Sequence, residues 1–198
     1  MRTGVLLSGG IDSTSLAFWK HPDVAITVDY GQLPAQGEIR AATKIARILK
    51  IKHEIIQVDC HTLGSGDMAG RSPNRVAPVP EWWPYRNQLL ITLAGMRAIA
   101  LNINLLMIGS VKRDGVHVDG RRQFFRRVNQ LMKMQEGKIK IESPAIALDS
   151  VELVQKSKIT FDVLAWTHSC HVSDYACGNC RGCFKHQFVM KKLGYEIY

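Results

Sequence analysis

The sequence has no run of about eighteen apolar residues, so no membrane-spanning helix is expected. It has no internal repeat, low-complexity tract or linker, and its 198 residues suffice for one sizeable core but not for two typical domains. A single domain over 1–198 is expected. Acidic residues are scarce: 17 Asp and Glu face 26 Lys and Arg, a formal charge of +9 that favours anionic partners. The start shows no signal-peptide pattern and enters a strand by Thr3, which leads us to expect a soluble, cytoplasmic protein. Cysteine is nearly absent before position 170, where Cys60 stands alone; the other four crowd into 170–183. In a cytoplasmic chain such a cluster reads as a metal site, not as disulfides.

What is present centres on residues 5–14, Val-Leu-Leu-Ser-Gly-Gly-Ile-Asp-Ser-Thr. Thr3 to Leu7 reads as a buried strand, Ser8-Gly9-Gly10 as a turn, and Asp12-Ser13-Thr14 as the opening of a helix that ends near Lys20. Such a turn aims backbone N–H groups into one concavity, and the helix start adds partial positive charge. Glycine removes the Cβ that would keep a phosphate from the backbone. Ser13 and Thr14 add hydroxyls, and Asp12 suits a helix cap or a nucleotide-bound cation. An ordinary strand–helix turn is the plainer reading of the position alone. It is not a Walker loop, because no Gly-Lys-Ser/Thr follows.

Further strands are expected at Val24 to Val28, His53 to Val58 and Asn104 to Gly109, with a short element at Lys138 to Ile141. Helices are expected over 36–50 (Ile39, Ala42, Ala46 and Leu49 inward), 86–101, 121–135 (Phe124, Val128 and Leu131 inward) and from Asp149 to Lys156. Asp149 with Glu152 has capping-box spacing. Strands alternating with helices argue for an α/β fold whose parallel sheet is covered on both faces. Its ligand should sit at the carboxyl ends of the strands, where Ser8, Asp29 and Gly109 fall. Residues 60–85 form a long Gly- and Pro-broken loop, with Trp82-Trp83 either anchoring a lid or walling a planar base. Arg86, at a helix start where it opposes the macrodipole, reads as a ligand contact. Residues 112–140 carry much of the positive charge and read either as a solvated face or as a docking surface for nucleic acid or an acidic protein.

Cys170, Cys177, Cys180 and Cys183 read C-x6-C-x2-C-x2-C. Four thiolates suit a closed, structural Zn2+ site, with an iron–sulfur cluster as the other metal reading and His168 or His171 as substitute ligands. The site would stitch a zinc-binding segment, 168–198, onto the domain.

The Ser-Gly-Gly-x-Asp-Ser string resembles the PP-loop of the ATP pyrophosphatases, and the chain as a whole resembles the 7-cyano-7-deazaguanine synthase family nearly end to end. The resemblance rests on residues 7–14, Val-Asp-Tyr-Gly-Gln (28–32), Pro-x-Arg-Asn (84–87), Ile-Gly (108–109), Ser-Pro (143–144), Trp-Thr-x-Ser-Cys (166–170) and Cys-Gly-x-Cys-x-x-Cys (177–183). It implies a three-layer, parallel-sheet PP-loop fold with a C-terminal zinc knuckle. It also implies an ATP- and ammonia-dependent ligase that converts 7-carboxy-7-deazaguanine to the nitrile through an acyl adenylate.

By that resemblance Leu7, Ser8, Gly9, Gly10, Asp12, Ser13, Thr14, Asp29, Tyr30, Gln32, Asn87 and Gly109 would hold ATP and Mg2+, with Arg86, Asp12 and Ser13 in the chemistry. Arg86, Asp114 and Asp119 would meet the substrate. A homo-oligomer, a dimer, is the expected assembly.

The sequence departs from the family in three places. Residues 113–121 lack the usual Ser-Gly-Tyr-Pro core, Leu33-Pro34 replaces an Arg-His pair, and Ala147 and Ser150 stand where the family has Asp and Lys. That lysine would be expected to neutralise the reacting phosphates, and Lys112 or Arg113 is the expected substitute. Three rival functions remain. One is a paralogue adenylating another carboxylate, a modified nucleobase or a protein C-terminus, as in phage defence. Another is a tRNA thiolase using Cys60. The third is a zinc-knuckle nucleic-acid-binding module without catalysis.

Overall fold

The computed structural model describes residues 1–195; the last three residues of the expected zinc-binding segment lie outside the described residues. Five strands, β1 (Thr3–Leu6), β2 (Val24–Asp29), β3 (Lys52–Gln57), β4 (Leu105–Met107) and β5 (Lys140–Glu142), form one sheet in the order β3-β2-β1-β4-β5. Every pair is parallel. Each crossover therefore carries a helix, and the helices cover both faces, as the alternating sequence predicts.

The strands alternate strictly between two cores. Leu6, Val24, Ile26, Val28, Leu106 and Ile108 face the layer of α3 (Arg86–Ala100) and α4 (Arg122–Met134). Val5, Leu7, Ala25, Leu105 and Met107 face α1 (Ile11–Lys20) and α2 (Ala35–Leu49). A period of two thus builds three layers from nearly continuous apolar strands.

Two helix faces differ from expectation. In α2 the main apolar anchor is Ile45, fully buried, with Ala41, Ala42 and Ala46, while Ile39 is only partly covered. In α4 Val128 is buried as expected and Phe124 packs partly against the core beside buried Phe125, but Leu131 is half exposed and Met132 packs inward instead. The capping box of α5 (Ser150–Ser157) forms as its spacing predicts. The Glu152 N–H donates to Asp149 Oδ1 at 2.9 Å, and the Asp149 N–H donates to Glu152 Oε2 at 2.8 Å. Of the two indoles in the 60–85 loop, Trp83 is buried edge-on against Tyr30 and anchors the loop.

A third core joins the C-terminal segment to the sheet. Ile11 of α1 packs with Val154 of α5, with Val163 and Leu164 of the short α6 (Phe161–Leu164), and with Val189 and Met190 of α7 (Arg181–Lys192). The start of α1, where the candidate site lies, is thereby held from the sheet side and from the C-terminal side at once.

Gly9 lies at φ +78°, and a Cβ there would fall 2.7 Å from the Ala41 Cβ. Gly9→Ala should therefore combine left-handed strain with a backbone displacement against α2, costing about 2–4 kcal/mol. Gly194, at φ +81° in open space, supplies the comparison. Its alanine variant should lose only about 1 kcal/mol. Urea unfolding of both variants checks the difference; equal losses would show that Gly9 is not packed as described.

Candidate active site

The sheet order reverses between β1 and β4: the chain winds outward through β2 and β3, then returns to the other side of β1. Such a reversal leaves a crevice at the carboxyl ends of the two strands. Here it opens into a cavity of about 710 Å³. Gly109 lets its walls approach, since a Cβ there would lie 2.9 Å from Ser13 Cα.

The loop after β1 enters α1 with Gly10 extended and no side-chain cap, which leaves the first amides of α1, on residues that line the cavity, without a capping side chain. Ser8 Oγ and Ser13 Oγ lie 3.1 Å apart, and Ser13 Oγ also donates to the Gly10 carbonyl at 3.2 Å. Free amides, two hydroxyls and a helix start make an anion cradle. Beside it Lys185 Nζ donates to Asp12 Oδ2 at 2.6 Å and lies 4.0 Å from Asp114 Oδ1. Asp12 Oδ1 is buried and has no hydrogen-bond partner, which leaves an oxygen available to a cation.

Across the cavity Arg86 stands half-buried at the first position of α3, donating to Met68 Sδ at 2.9 Å. The helix tolerates a cation there because Asp119 supplies the opposite charge. Its Oδ2 accepts the Asn87 N–H at 3.0 Å, and its carbonyl accepts Asn87 Nδ2 at 2.9 Å.

Of the expected site residues, the cavity brings together Leu7, Ser8, Gly10, Asp12, Ser13, Tyr30, Arg86, Asn87, Gly109 and Asp114. Gly9, Thr14, Asp29, Gln32 and Asp119 lie off its lining. Gly9 packs on α2, and Thr14 is fully buried behind the loop. Asp29 Oδ1 turns back to accept the Gly31 N–H, and Asp119 caps α3. Gln32 is a corner brace: its amide donates to the Val28 carbonyl and to Glu38, while its oxygen accepts the Tyr30 N–H. Neither Trp82 nor Trp83 reaches the lining, so the aromatic wall expected from them is replaced by Phe184 and Phe188 of α7. Cys60 is buried against Tyr30, Met68 and Trp83 and also misses the cavity. Arg122, Arg126, Arg127 and Lys133 form an exposed face of α4.

Sequence reasoning missed Lys185, Glu38, His117, Arg181 and the aromatic residues of α7, all on the lining. No local signal marks Lys185: it follows Cys183 by two residues, and only the docking of α7 aims it at Asp12. Of the two cations expected to supply the missing charge, the structure places only Arg113 on the lining. Lys112 is exposed off the lining, and the Arg113 guanidinium lies over the Phe188 ring at 5.2 Å.

The four cysteines converge. Their sulfurs all lie within 4.8 Å of one another, with Cys177–Cys183 and Cys170–Cys180 each at 3.9 Å. A tetrahedron of Zn–S bonds of about 2.3 Å needs sulfurs about 3.8 Å apart, so the set could hold zinc. Cys180 Sγ accepts the N–H groups of Cys183 (3.4 Å) and His171 (3.3 Å), as a thiolate at a metal would. The two histidines expected as substitute ligands stand outside this set. His168 Nε2 is spent on the Ser173 carbonyl at 3.0 Å, and its backbone N–H donates to the Gly9 carbonyl at 2.9 Å. That last bond ties the knuckle directly to the loop.

Burial pushes four imidazoles of this region down, those of His117, His168, His171 and His186, with His171 falling to about 4 beside Arg86, Lys185 and Arg181. Burial pushes the Glu38 carboxyl the other way, to about 7, against the hydrogen bond from Gln32. A raised carboxyl pKa favours the neutral form in the fold. Glu38 therefore costs no stability below its unfolded value of 4.5, and its cost grows as pH rises from there through about 7. Glu38→Gln removes this titration. Between about pH 5 and pH 8 the variant should gain on the order of 3 kcal/mol relative to the natural chain, read from urea unfolding at both pH values. A pH-independent difference would show that Glu38 ionises freely.

The family model for the queuosine biosynthesis protein QueC matches residues 2–194. Curated relatives named 7-cyano-7-deazaguanine synthase align over nearly all of the chain. That of Methanococcus maripaludis is 28% identical over 98% of this chain and 96% of its own length. The Methanocaldococcus jannaschii protein is 27% identical over 99% and 97%, and the Helicobacter acinonychis protein is 29% identical over 98% and 95%. With the parallel sheet, the glycine loop at its edge and the four converging cysteines, this match places the chain in the queuosine biosynthesis protein QueC family.

Proposed function

We propose that this chain is an ATP-dependent carbon–nitrogen ligase that converts 7-carboxy-7-deazaguanine and ammonia to 7-cyano-7-deazaguanine. The observation that carries the reading is the joining of the anion cradle at the start of α1 with Arg86, Asn87 and Lys185 in one cavity at the sheet's switch point.

The amides of the loop and the Ser8 and Ser13 hydroxyls would hold the pyrophosphate portion of ATP, where negative charge accumulates as it leaves. Arg86, on the facing helix, would hold the carboxylate of the acid near the α-phosphate; binding both partners in one cavity removes most of the entropy cost of their meeting. The carboxylate oxygen attacks the α-phosphorus and pyrophosphate departs, giving an acyl adenylate. Ammonia attacks the acyl carbon and releases AMP, leaving the amide. A second ATP is attacked by the amide oxygen, again releasing pyrophosphate. Loss of AMP and of the remaining nitrogen-bound protons gives the nitrile. Asp12 Oδ1, buried and unpartnered, and Asp114 beside it are the oxygens that would hold Mg2+. Bound there, the ion would withdraw charge from the phosphates. Cys170, Cys177, Cys180 and Cys183 would hold Zn2+ in a structural role, since four thiolates leave it no open position. The reading places the chain in the cytoplasm, where ATP is supplied; no helix among the described residues is long and apolar enough to cross a membrane.

A specific observation keeps a second reading in view: the 113–121 stretch, which differs from the family pattern, lines the substrate side of the cavity through Arg113, Asp114 and His117. A related acid with the same adenylation chemistry would fit that change.

Incubation with MgATP, ammonium and 7-carboxy-7-deazaguanine should release pyrophosphate and yield, by mass spectrometry, a nitrile with two pyrophosphates per product. ATP bound without turnover of this acid would sink the substrate assignment and favour the related acid. Cys180→Ser should lose bound zinc and thermal stability together, as measured by atomic absorption and calorimetry. A natural chain that is stable and free of zinc would refute the structural role.

A further inference from the structure

Position 150 holds a serine where the sequence pattern of the family leads one to expect a lysine at the phosphates. Ser150 opens α5; it is 4% exposed, and its Oγ has no hydrogen-bond partner. It does not face solid packing. A second cavity, of about 220 Å³, lies over it, lined also by Asp149, Arg113 and Lys185. Arg113 and Lys185 line the large cavity as well, so the two spaces adjoin across these side chains.

The cations of the large cavity are not equivalent. Arg181 pairs with Glu81 at 3.4 Å, and Arg113 stacks on Phe188. Arg86 stands on the far wall with Asn87. Lys185 alone among them bonds a residue of the glycine loop, at 2.6 Å from Asp12. Its stem runs past the cavity that covers Ser150, and its ammonium meets the first turn of α1.

We infer that Lys185, reaching in from α7, is the loop's phosphate-neutralising cation, and that it serves from one side of the small cavity the place a lysine at 150 would serve from the other. The inference rests on the ATP-binding part of the function proposed above. In the free protein the ammonium is held by Asp12. When MgATP enters, the ammonium contacts phosphate oxygens, while Asp12 is left facing the cation that accompanies the nucleotide. The small cavity is then the space a longer residue at 150 would occupy. A lysine at 150 as well would add another cation to a space that Arg113, Lys185 and Lys192 already line, which like-charge repulsion opposes. One cation is therefore enough, and either position can supply it.

The test is the dissociation constant of Mg2+ with α,β-methylene-ATP, measured by calorimetry on the zinc-loaded chain. Lys185→Met should weaken binding by about 10- to 100-fold, the range of a hydrogen bond to a charged group. Lys185→Arg should stay within a few-fold of the natural chain. Ser150→Lys alone should weaken binding, and Ser150→Lys combined with Lys185→Met should bind more tightly than Lys185→Met alone. Zinc content and melting temperature, measured on every variant, separate lost folding from lost binding. Unchanged affinity in a folded Lys185→Met variant overturns the inference, as does a folded double variant that recovers nothing. If the double variant does not fold, the Met and Arg variants decide. The nucleotide binds without any acid present, so a natural chain that binds it but makes no nitrile refutes the substrate assignment and leaves the Lys185 result intact; a chain that binds no nucleotide refutes both.

Discussion

The central constraint is the parallel pairing of β1 between β2 and β4. Two strands that run parallel to a third cannot be joined to it by tight turns, so each must be reached through a helical crossover. The carboxyl ends of all five strands then lie along one edge. Because the chain turns left and right of β1 in succession, that edge carries a gap in front of β1 itself. The glycine loop occupies the gap because it directly follows β1. Everything else in the site is placed relative to it: Gly109 at the end of β4, Arg86 at the start of the helix that precedes β4, and Asp114 just after Gly109.

The C-terminal segment is part of this arrangement and not an appendage. The His168 amide bonds the Gly9 carbonyl, Gly37 of α2 donates to Asp174, and α7 packs on α1 and α5. Four cysteines between positions 170 and 183 bring their sulfurs within 4.8 Å of one another, and Cys180 caps the start of α7. Their geometry determines where α7 begins, and the direction of α7 determines where Lys185 ends. A cysteine cluster far in sequence from the loop thus bears on which side chain meets Asp12.

Charge in the cavity is balanced in a particular way. Lys185, Arg86, Arg113 and Arg181 face Asp12, Glu38, Glu81 and Asp114, while the imidazoles around them are kept neutral by burial. The positive formal charge of the chain therefore does not gather in the cavity. Much of it lies on the exposed face of α4, where Arg122, Arg126, Arg127 and Lys133 meet solvent. Two of these cations are held in ion pairs, Lys185 with Asp12 and Arg181 with Glu81, while Arg86 bonds Met68 and Arg113 lies over the Phe188 ring.

The sequence alone determined the α/β architecture, the loop, the cysteine cluster and the α5 capping box, because each is local: apolar period, turn chemistry and ligand spacing all act over a few residues. It also identified Arg86, whose position at a helix start goes against the macrodipole. Tertiary structure alone decided which of the marked residues share a cavity. Gln32 and Asp29 look like ligand contacts in the chain but close their own turns, and Asp119 caps α3 from another loop. It alone decided that Phe125 and Met132, not Leu131, complete the inner face of α4, and the place of Lys185, whose partner Asp12 is 173 residues away. Side-chain direction at that separation depends on how four helices pack, and no local pattern in the chain records it.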